Sequence, residues 1–289
     1  MASEQMADWL LGHQATLQSG LLIAAIVGML VWETWVPRRA FAVPLALRWF
    51  NQVSLTALGA IFVRFGAPIA AVALATLVQV EGWGLLNLVA VPSWVSIVLG
   101  LLAIDLGMYV QHRLFHAVPL LWRFHQIHHS DLDVDCGTAL RHHPVETFIA
   151  QAFDLALIAV VGVPPVAVLA GYTVAALVAI FNHANIMVPR GGDRALRWFV
   201  VTPDMHRIHH SADIVEGNRN FANLFPWWDH LFSTYRSEPL LGQTQMLVGL
   251  ADARAAEDLS LWKLLALPFR TLRSGTYAEI RLSHPETSR

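Results

Sequence analysis

Cysteine is nearly missing: one residue, Cys136, in a chain of 289. That excludes a disulfide framework, a cysteine-rich zinc module and a thiolate set for an iron–sulfur cluster, so any metal must be held by nitrogen or oxygen. Charge is scarce too, at 14% of residues against 55% hydrophobic, which excludes an ordinary soluble fold. Lysine occurs once, at Lys263, and the net charge is only -2. With no basic run to meet phosphates, nucleic-acid binding has no electrostatic footprint. No basic residue precedes the first apolar stretch and no small-residue cleavage pattern follows it closely, so it reads as a retained span, not a removed signal. A Gly-rich dinucleotide fingerprint and any haem or flavin module are lacking as well, so electrons for redox chemistry must come from another protein.

Long apolar sequence is what the chain has in quantity. Crossing roughly 30 Å of hydrocarbon takes about 20 helical residues, and suitable runs lie near Gly20–Val36, Phe65–Val80, Val95–Val110 and Phe148–Phe181. The last is interrupted by Gly162, Pro164 and Pro165, so it predicts two helices joined by a tight turn, and five crossings in all. Arg64 fits best at the start of the second span, its charge reaching the surface, with residues 44–63 as an interfacial helix. Residues 1–19 and the 80–94 loop carry no Lys or Arg, whereas Arg38, Arg39 and Arg48, then Arg113, Arg123 and Arg141, then Arg190, Arg194 and Arg197 follow alternate spans. The positive-inside rule therefore places the N-terminus outside and everything from Arg190 onward inside. The segment LSLWKLLALPFRTLRS, from Leu259, suits either a helix on the inner leaflet or an ordinary packed amphipathic helix. The expectation is an all-α membrane protein of four to five transmembrane helices plus interfacial helices, with a cytoplasmic histidine-rich helical cap.

Histidine is the other excess. Of fourteen, twelve fall between His112 and His230, and the predicted topology puts the eleven from His112 to His210 together on the cytoplasmic side. His112 and His116 are i, i+4 on a continuing helix; HQIHHS (His125, His128, His129) and HRIHHS (His206, His209, His210) place three imidazoles at i, i+3, i+4. Diiron bundles project ligands inward from facing helices by the same logic. For His13, His230 and His284 an interfacial or helix-end role suffices. Packing eight imidazoles in three clusters costs desolvation and like-charge repulsion unless a cation accepts their lone pairs. Neither cassette has the Glu of H-E-x-x-H, and a structural zinc site closes with four ligands, whereas about ten candidates are present. Ten imply two ions, and neutral ligands at the bilayer edge suit oxygen activation against a lipid chain.

The motifs HRLFH (from His112), HQIHH (from His125), RHHPVE (from Arg141), FNHANI (from Phe181) and TPDMHRIHH (from Thr202), followed by NRNF (from Asn218) and WWDHLFSTY (from Trp227), resemble the fatty acid hydroxylase and sterol desaturase superfamily. The resemblance covers about residues 45–236, and the H-x-x-x-H opening favours the hydroxylase branch over the acyl-chain desaturases. It implies integral-membrane, histidine-ligated diiron oxygenases: two Fe ions, with zinc as the substitute a purification can introduce, O2 as oxidant, a lipid substrate, and an external electron-donor protein of ferredoxin or cytochrome type with its reductase. Carried over residue by residue, the ligands are His112, His116, His125, His128, His129, His206, His209 and His210, with His143 and His183 at weaker family positions. His142 is then expected just behind the ligands. Where the family has W-D-R-L-F-G-T, this chain has Asp229, His230 and Ser233, and Asp229 is expected to orient a ligand imidazole. Arginines near the clusters, including Arg141 and Arg207, could meet an acidic donor, although topology alone accounts for each singly. The domain reading is an N-terminal span and connector at 1–44, a catalytic domain at 45–236 and a peripheral amphipathic tail at 237–289, in a bacterial inner membrane with its metal site cytoplasmic. The competing reading is a non-catalytic metal-binding or transport membrane protein, which should place ionisable ligands near the middle of the spans.

Overall fold

The computed structural model describes residues 2–67 and 69–270. Among them there is no strand, only two isolated bridges, Pro37 with Ile186 and Ser211 with Val248. Helix α1 is Ala2–Gly12, α2 Gln14–Trp35, α3 Leu45–Gly66, α4 Ala71–Val80, α5 the single turn Leu85–Leu88, and α6 Ser93–Ala117. Then come α7 Pro119–His125, α8 Pro144–Val161, α9 Pro165–His183, α10 Arg190–Leu196 and α11 Pro203–His209. Five stretches are long and apolar enough to cross a membrane: Gln14–Trp35, Leu45–Leu88, Ser93–Ala117, Pro144–Val161 and Pro165–His183. Their outward residues, such as Ile23, Phe65, Val80 and Val160, are exposed, as a lipid-facing belt requires. This is an integral membrane bundle.

The α8–α9 hairpin forms where the sequence predicts it. Gly162 adopts φ 73° and donates its N–H to Ile158 O, closing α8, and Pro165 opens α9 after Pro164. A left-handed residue at that position costs glycine least, and proline fits the first helical turn. Gly84, at φ 85°, presses on this turn: a Cβ there would stand 2.3 Å from Gly162 N. Along the bundle Gly107 and Gly171 let α6 approach α8 and α9, since added Cβ atoms would meet Leu157 and Ile104. Ala75, Ile104, Ile158, Val163, Ala167 and Val168 fill the space between α4, α6, α8 and α9.

The second span departs from the simple helix expected over Phe65–Val80. The chain takes this passage as two helices, breaking after Gly66, whose face is filled by the Phe148 ring; a proline at 68 disfavours helix at the residue before it. Alone, α4 is ten residues, about 15 Å, too short to cross. Nor does α3 simply lie on a surface. Arg48, Asn51 and Gln52 in its first turns are buried, with Arg48 bonded to Asp131, Asp135 and the Asp133 carbonyl. The 128–140 loop is thereby clamped to α3, and the Arg48 charge holds the Asp131 carboxyl down to about 2 against the upward push of its own burial.

The late amphipathic segment packs rather than floats: Leu264 and Leu267 are buried against Leu55 and Ile127, while Trp262 and Phe269 remain exposed. Residues 271–289, including His284 and the end of the expected tail, lie outside the described residues. Gly84→Ala should destabilise the hairpin end by about 1–3 kcal/mol, the range for forced overpacking, read as a lower thermal midpoint in detergent. An unchanged midpoint would show that the Gly84–Gly162 contact does not constrain the bundle.

Candidate metal centre

All the clustered histidines gather at one end of the bundle, opposite the Gly84–Gly162 turn, because α6 and α9 both end there and α8 begins there. His112 and His116 occupy the last turns of α6, and His183 is the final residue of α9. His125 closes α7, whereas His128 and His129 stand in a separate 3-10 turn, His128–Ser130. The second cassette lies on α11, with His210 just past its end.

Nine of these imidazoles form two groups. His112, His116, His125, His129 and His209 make one; His128, His183, His206 and His210 make the other, and in each the donor atoms lie within 4.8 Å of one another. Each cassette is divided between them. The first gives its i and i+4 members to the five-histidine group and its i+3 member to the other; the second cassette does the reverse. A helix break after His125 separates the members of the first cassette, whereas His206 and His209 part within α11 itself, where rings one turn apart reach two neighbouring groups.

Tautomers decide what the groups can hold. His112 donates from Nδ1 to Phe221 O at 2.7 Å, and His209 from Nδ1 to Arg219 O at 2.8 Å. Both Nε2 atoms therefore present lone pairs, and they face each other at 2.9 Å. His183 donates from Nδ1 to Ala179 O, and its Nε2 lies 3.2 Å from His128 Nε2 and 3.1 Å from His206 Nε2. His125 donates from Nδ1 to Glu146 Oε1 at 2.6 Å and leaves Nε2 buried with no partner; His210 has none at either ring nitrogen. Two nitrogens each about 2.1 Å from one ion stand roughly 3.0–3.4 Å apart, which is the spacing seen. Burial, then the neighbouring imidazoles, pushes His128, His129, His206, His209 and His210 well below the ordinary histidine range, so these rings stay neutral and able to ligate. An all-nitrogen donor set of this kind fits a divalent transition ion.

Residues 97–234 match the fatty acid hydroxylase family model. Over that stretch, just under half of its length, the chain is similar to fatty acid hydroxylases. Ornithine lipid hydroxylase OlsE of Rhizobium tropici is 33% identical over 156 residues, 54% of this chain and 46% of that protein. Alkylglycerol monooxygenase of Homo sapiens is 30% identical over 148 residues, 50% of this chain and 31% of its own. Cholesterol 25-hydroxylase of Homo sapiens is 30% identical over 143 residues, 47% of this chain and 50% of its own. The chain thus spans from about a third to a half of the length of these relatives. No solved structure matches it.

The polar motifs of this stretch act through the imidazoles they orient. Asn220, left-handed at φ 54°, separates the two carbonyls that receive His209 and His112, and bonds Met205 O and Arg236 O. Asp229 does not touch an imidazole, contrary to expectation. It accepts from the N–H groups of Phe221 and Ala222 and from the Thr234 hydroxyl, and so fixes the carbonyl on which His112 turns. The carboxylate that does orient an imidazole is Glu146, missed as a site residue; its place four positions after His142, in the first turn of α8, was the available signal. His142 bonds the same Oε1 atom at 3.0 Å and stacks on His128. Burial lowers the His142 pKa and Glu146 raises it by more.

His143 joins neither group. Val145 N–H donates to its Nδ1, Glu146 reaches back to its N–H, and its ring lies against Phe124, so it caps α8. Arg141 and Arg207 are buried, Arg141 holding Ile127 O and Ser130 and Arg207 holding Asp204 and Ala184 O. They brace the cassettes and offer no face to a partner. Glu33, likewise unforeseen, accepts from Cys136 N and Asn185 N, tying α2 to the segment after His183.

His143→Ala should keep the wild-type metal content and lose about 0.5–2 kcal/mol of stability as a lost cap, whereas His183→Ala should lower metal per chain. Glu146→Gln should weaken metal affinity about 10–100-fold with the fold retained. Metal analysis after dialysis against a graded chelator reads all three; metal loss in His143→Ala with no loss in His183→Ala would reverse the assignment.

Proposed function

We propose that the chain hydroxylates a lipid C–H bond with dioxygen at two iron ions, one held by His112, His116, His125, His129 and His209 and the other by His128, His183, His206 and His210. The observation that carries this reading is a cavity of about 360 Å³ touching both groups. It runs between α6, α8 and α9, with His112, His125, His128, His183 and His206 on one wall and Met108, Phe115, Ala150, Ala175, Ala176 and Ala179 among its apolar lining. A lipid chain enters it from within the bilayer, where its apolar wall meets the chain. When bound, the irons supply the reduction of dioxygen: one oxygen atom enters the C–H bond, the other leaves as water, and two electrons and two protons are consumed.

The chain's own residues set the conditions. The carbonyls of Phe221, Arg219 and Ala179 and the carboxylate of Glu146 lock four Nε2 lone pairs toward the centre before any ion arrives, which limits reorganisation. The apolar wall excludes bulk water from the reacting carbon. Electrons come from an external ferredoxin- or cytochrome-type donor, which docks on the cap over a second cavity of about 140 Å³ lined by His116, His129, Trp122, Gln126, Ser211 and Asn218. The positive-inside pattern puts that cap in the cytoplasm of a bacterial inner membrane. Residues 45–236 form the catalytic unit in this reading. Ornithine lipid hydroxylase, alkylglycerol monooxygenase and cholesterol 25-hydroxylase are hydroxylases or monooxygenases of lipids by name, which supports a lipid substrate. A transporter reading is disfavoured because both histidine groups sit at one end of the bundle, whereas transport needs ligands along a path through it.

Iron-replete cells expressing the chain under heavy-isotope dioxygen should yield membrane lipids carrying one heavy oxygen, and His209→Ala should remove that label while membrane levels of the protein persist. Label drawn from water, or none in the wild type, would overturn the hydroxylase reading.

A further inference from the structure

The far side of the cavity is polar, inside the spans. Gln111 and Tyr172 both line it, and Tyr172 also lines an adjoining cavity of about 490 Å³ together with Gln14, Gln18, Gln151 and Asp154. Asp154 lies eight residues along α8 from Glu146, roughly 12 Å, well away from the cap. Gln111 Nε2 donates to Ala150 O at 3.2 Å and reaches Asp154 Oδ1 only at 3.4 Å. The Tyr172 hydroxyl is buried and interacts with this same carboxylate, but with a geometry poorer than a regular hydrogen bond. Polar and ionisable groups in a membrane span are costly and stay where they serve a ligand or a path.

We propose that Tyr172, Asp154 and Gln111 bind a hydroxyl group of the substrate lipid, holding the molecule so that the carbon to be oxidised stands at the histidines. The donor and acceptor inventory selects the ligand class. Tyr172 has a proton to give and Asp154 lone pairs to fill. An ammonium only donates, and a carboxylate or ester carbonyl only accepts; a hydroxyl does both on one atom. It also enters hydrocarbon at less cost than a full charge. The inference rests on the hydroxylase reading for the position of the reacting carbon, and on the cavity alone for the hydroxyl site.

The test is binding without turnover. Full-length, metal-loaded protein in detergent is titrated with radiolabelled palmityl alcohol, competed by unlabelled palmityl alcohol or its methyl ether, which lacks the proton to donate. The wild type should prefer the alcohol by about tenfold or more, as sites built to hydrogen-bond a hydroxyl do. Tyr172→Phe and Asp154→Asn should each bring alcohol and ether close to equal while metal content and thermal midpoint hold. Equal binding of the two probes by the wild type, or an undiminished preference in both variants, would overturn the site; so would equal weakening of both probes, the mark of a purely structural role. Because no oxygen is consumed, a failed labelling experiment leaves this result readable, and the two proposals fall separately.

Discussion

Two imidazole lone pairs cannot face each other at 2.9 Å without a cation between them, and His112 and His209 do so with their other nitrogens committed to backbone carbonyls. Much of the surrounding structure serves that arrangement. Asp229 holds the Phe221 and Ala222 N–H groups, Thr234 bonds both Asp229 and Tyr109, and Asn220 takes a left-handed turn between the two receiving carbonyls. These residues touch no ion, yet each fixes the direction of a nitrogen that would. Burial then keeps the rings neutral, so the cluster is ready to ligate instead of repelling itself.

The division of the first cassette between the two groups follows from where a helix stops. α7 ends at His125 and a tighter turn carries His128 and His129, so three imidazoles close in sequence diverge in space. Buried arginines steady those breaks: Arg141 on Ser130, Arg207 on the Ala184 carbonyl, and Arg48 on Asp131 and Asp135. In the Arg48 ion pairs desolvation offsets much of the attraction, so what they contribute is position more than net stability. Here they fix where the ligand-bearing segments lie at the end of a bundle whose other faces meet lipid.

The bundle and the histidine-rich end were legible in the sequence because hydrophobic length and His spacing are local signals. The Pro-Pro hairpin was legible for the same reason: Gly162, Pro164 and Pro165 act on their own backbone. Less local features were not. Nothing in RHHPVE says that His143 caps a helix while His142 turns toward His128, because that choice depends on α8 beginning at Pro144 and on Glu146 reaching His125 from another segment. Asp229 bonds the N–H groups of Phe221 and Ala222, eight and seven residues away across a turn, and not the imidazole that its motif suggests. The composite second span escaped notice because its buried polar face, Arg48, Asn51 and Gln52, meets residues some eighty to two hundred positions distant.

Nine histidines form two groups, each with the nitrogens to hold one metal ion. Iron quantified per chain in protein purified from iron-replete membranes, together with X-ray absorption at the iron edge, tests it most directly. The account predicts two irons per chain and a first shell of light nitrogen or oxygen scatterers near 2.1 Å. A single ion per chain, or a shell containing sulfur, would contradict it.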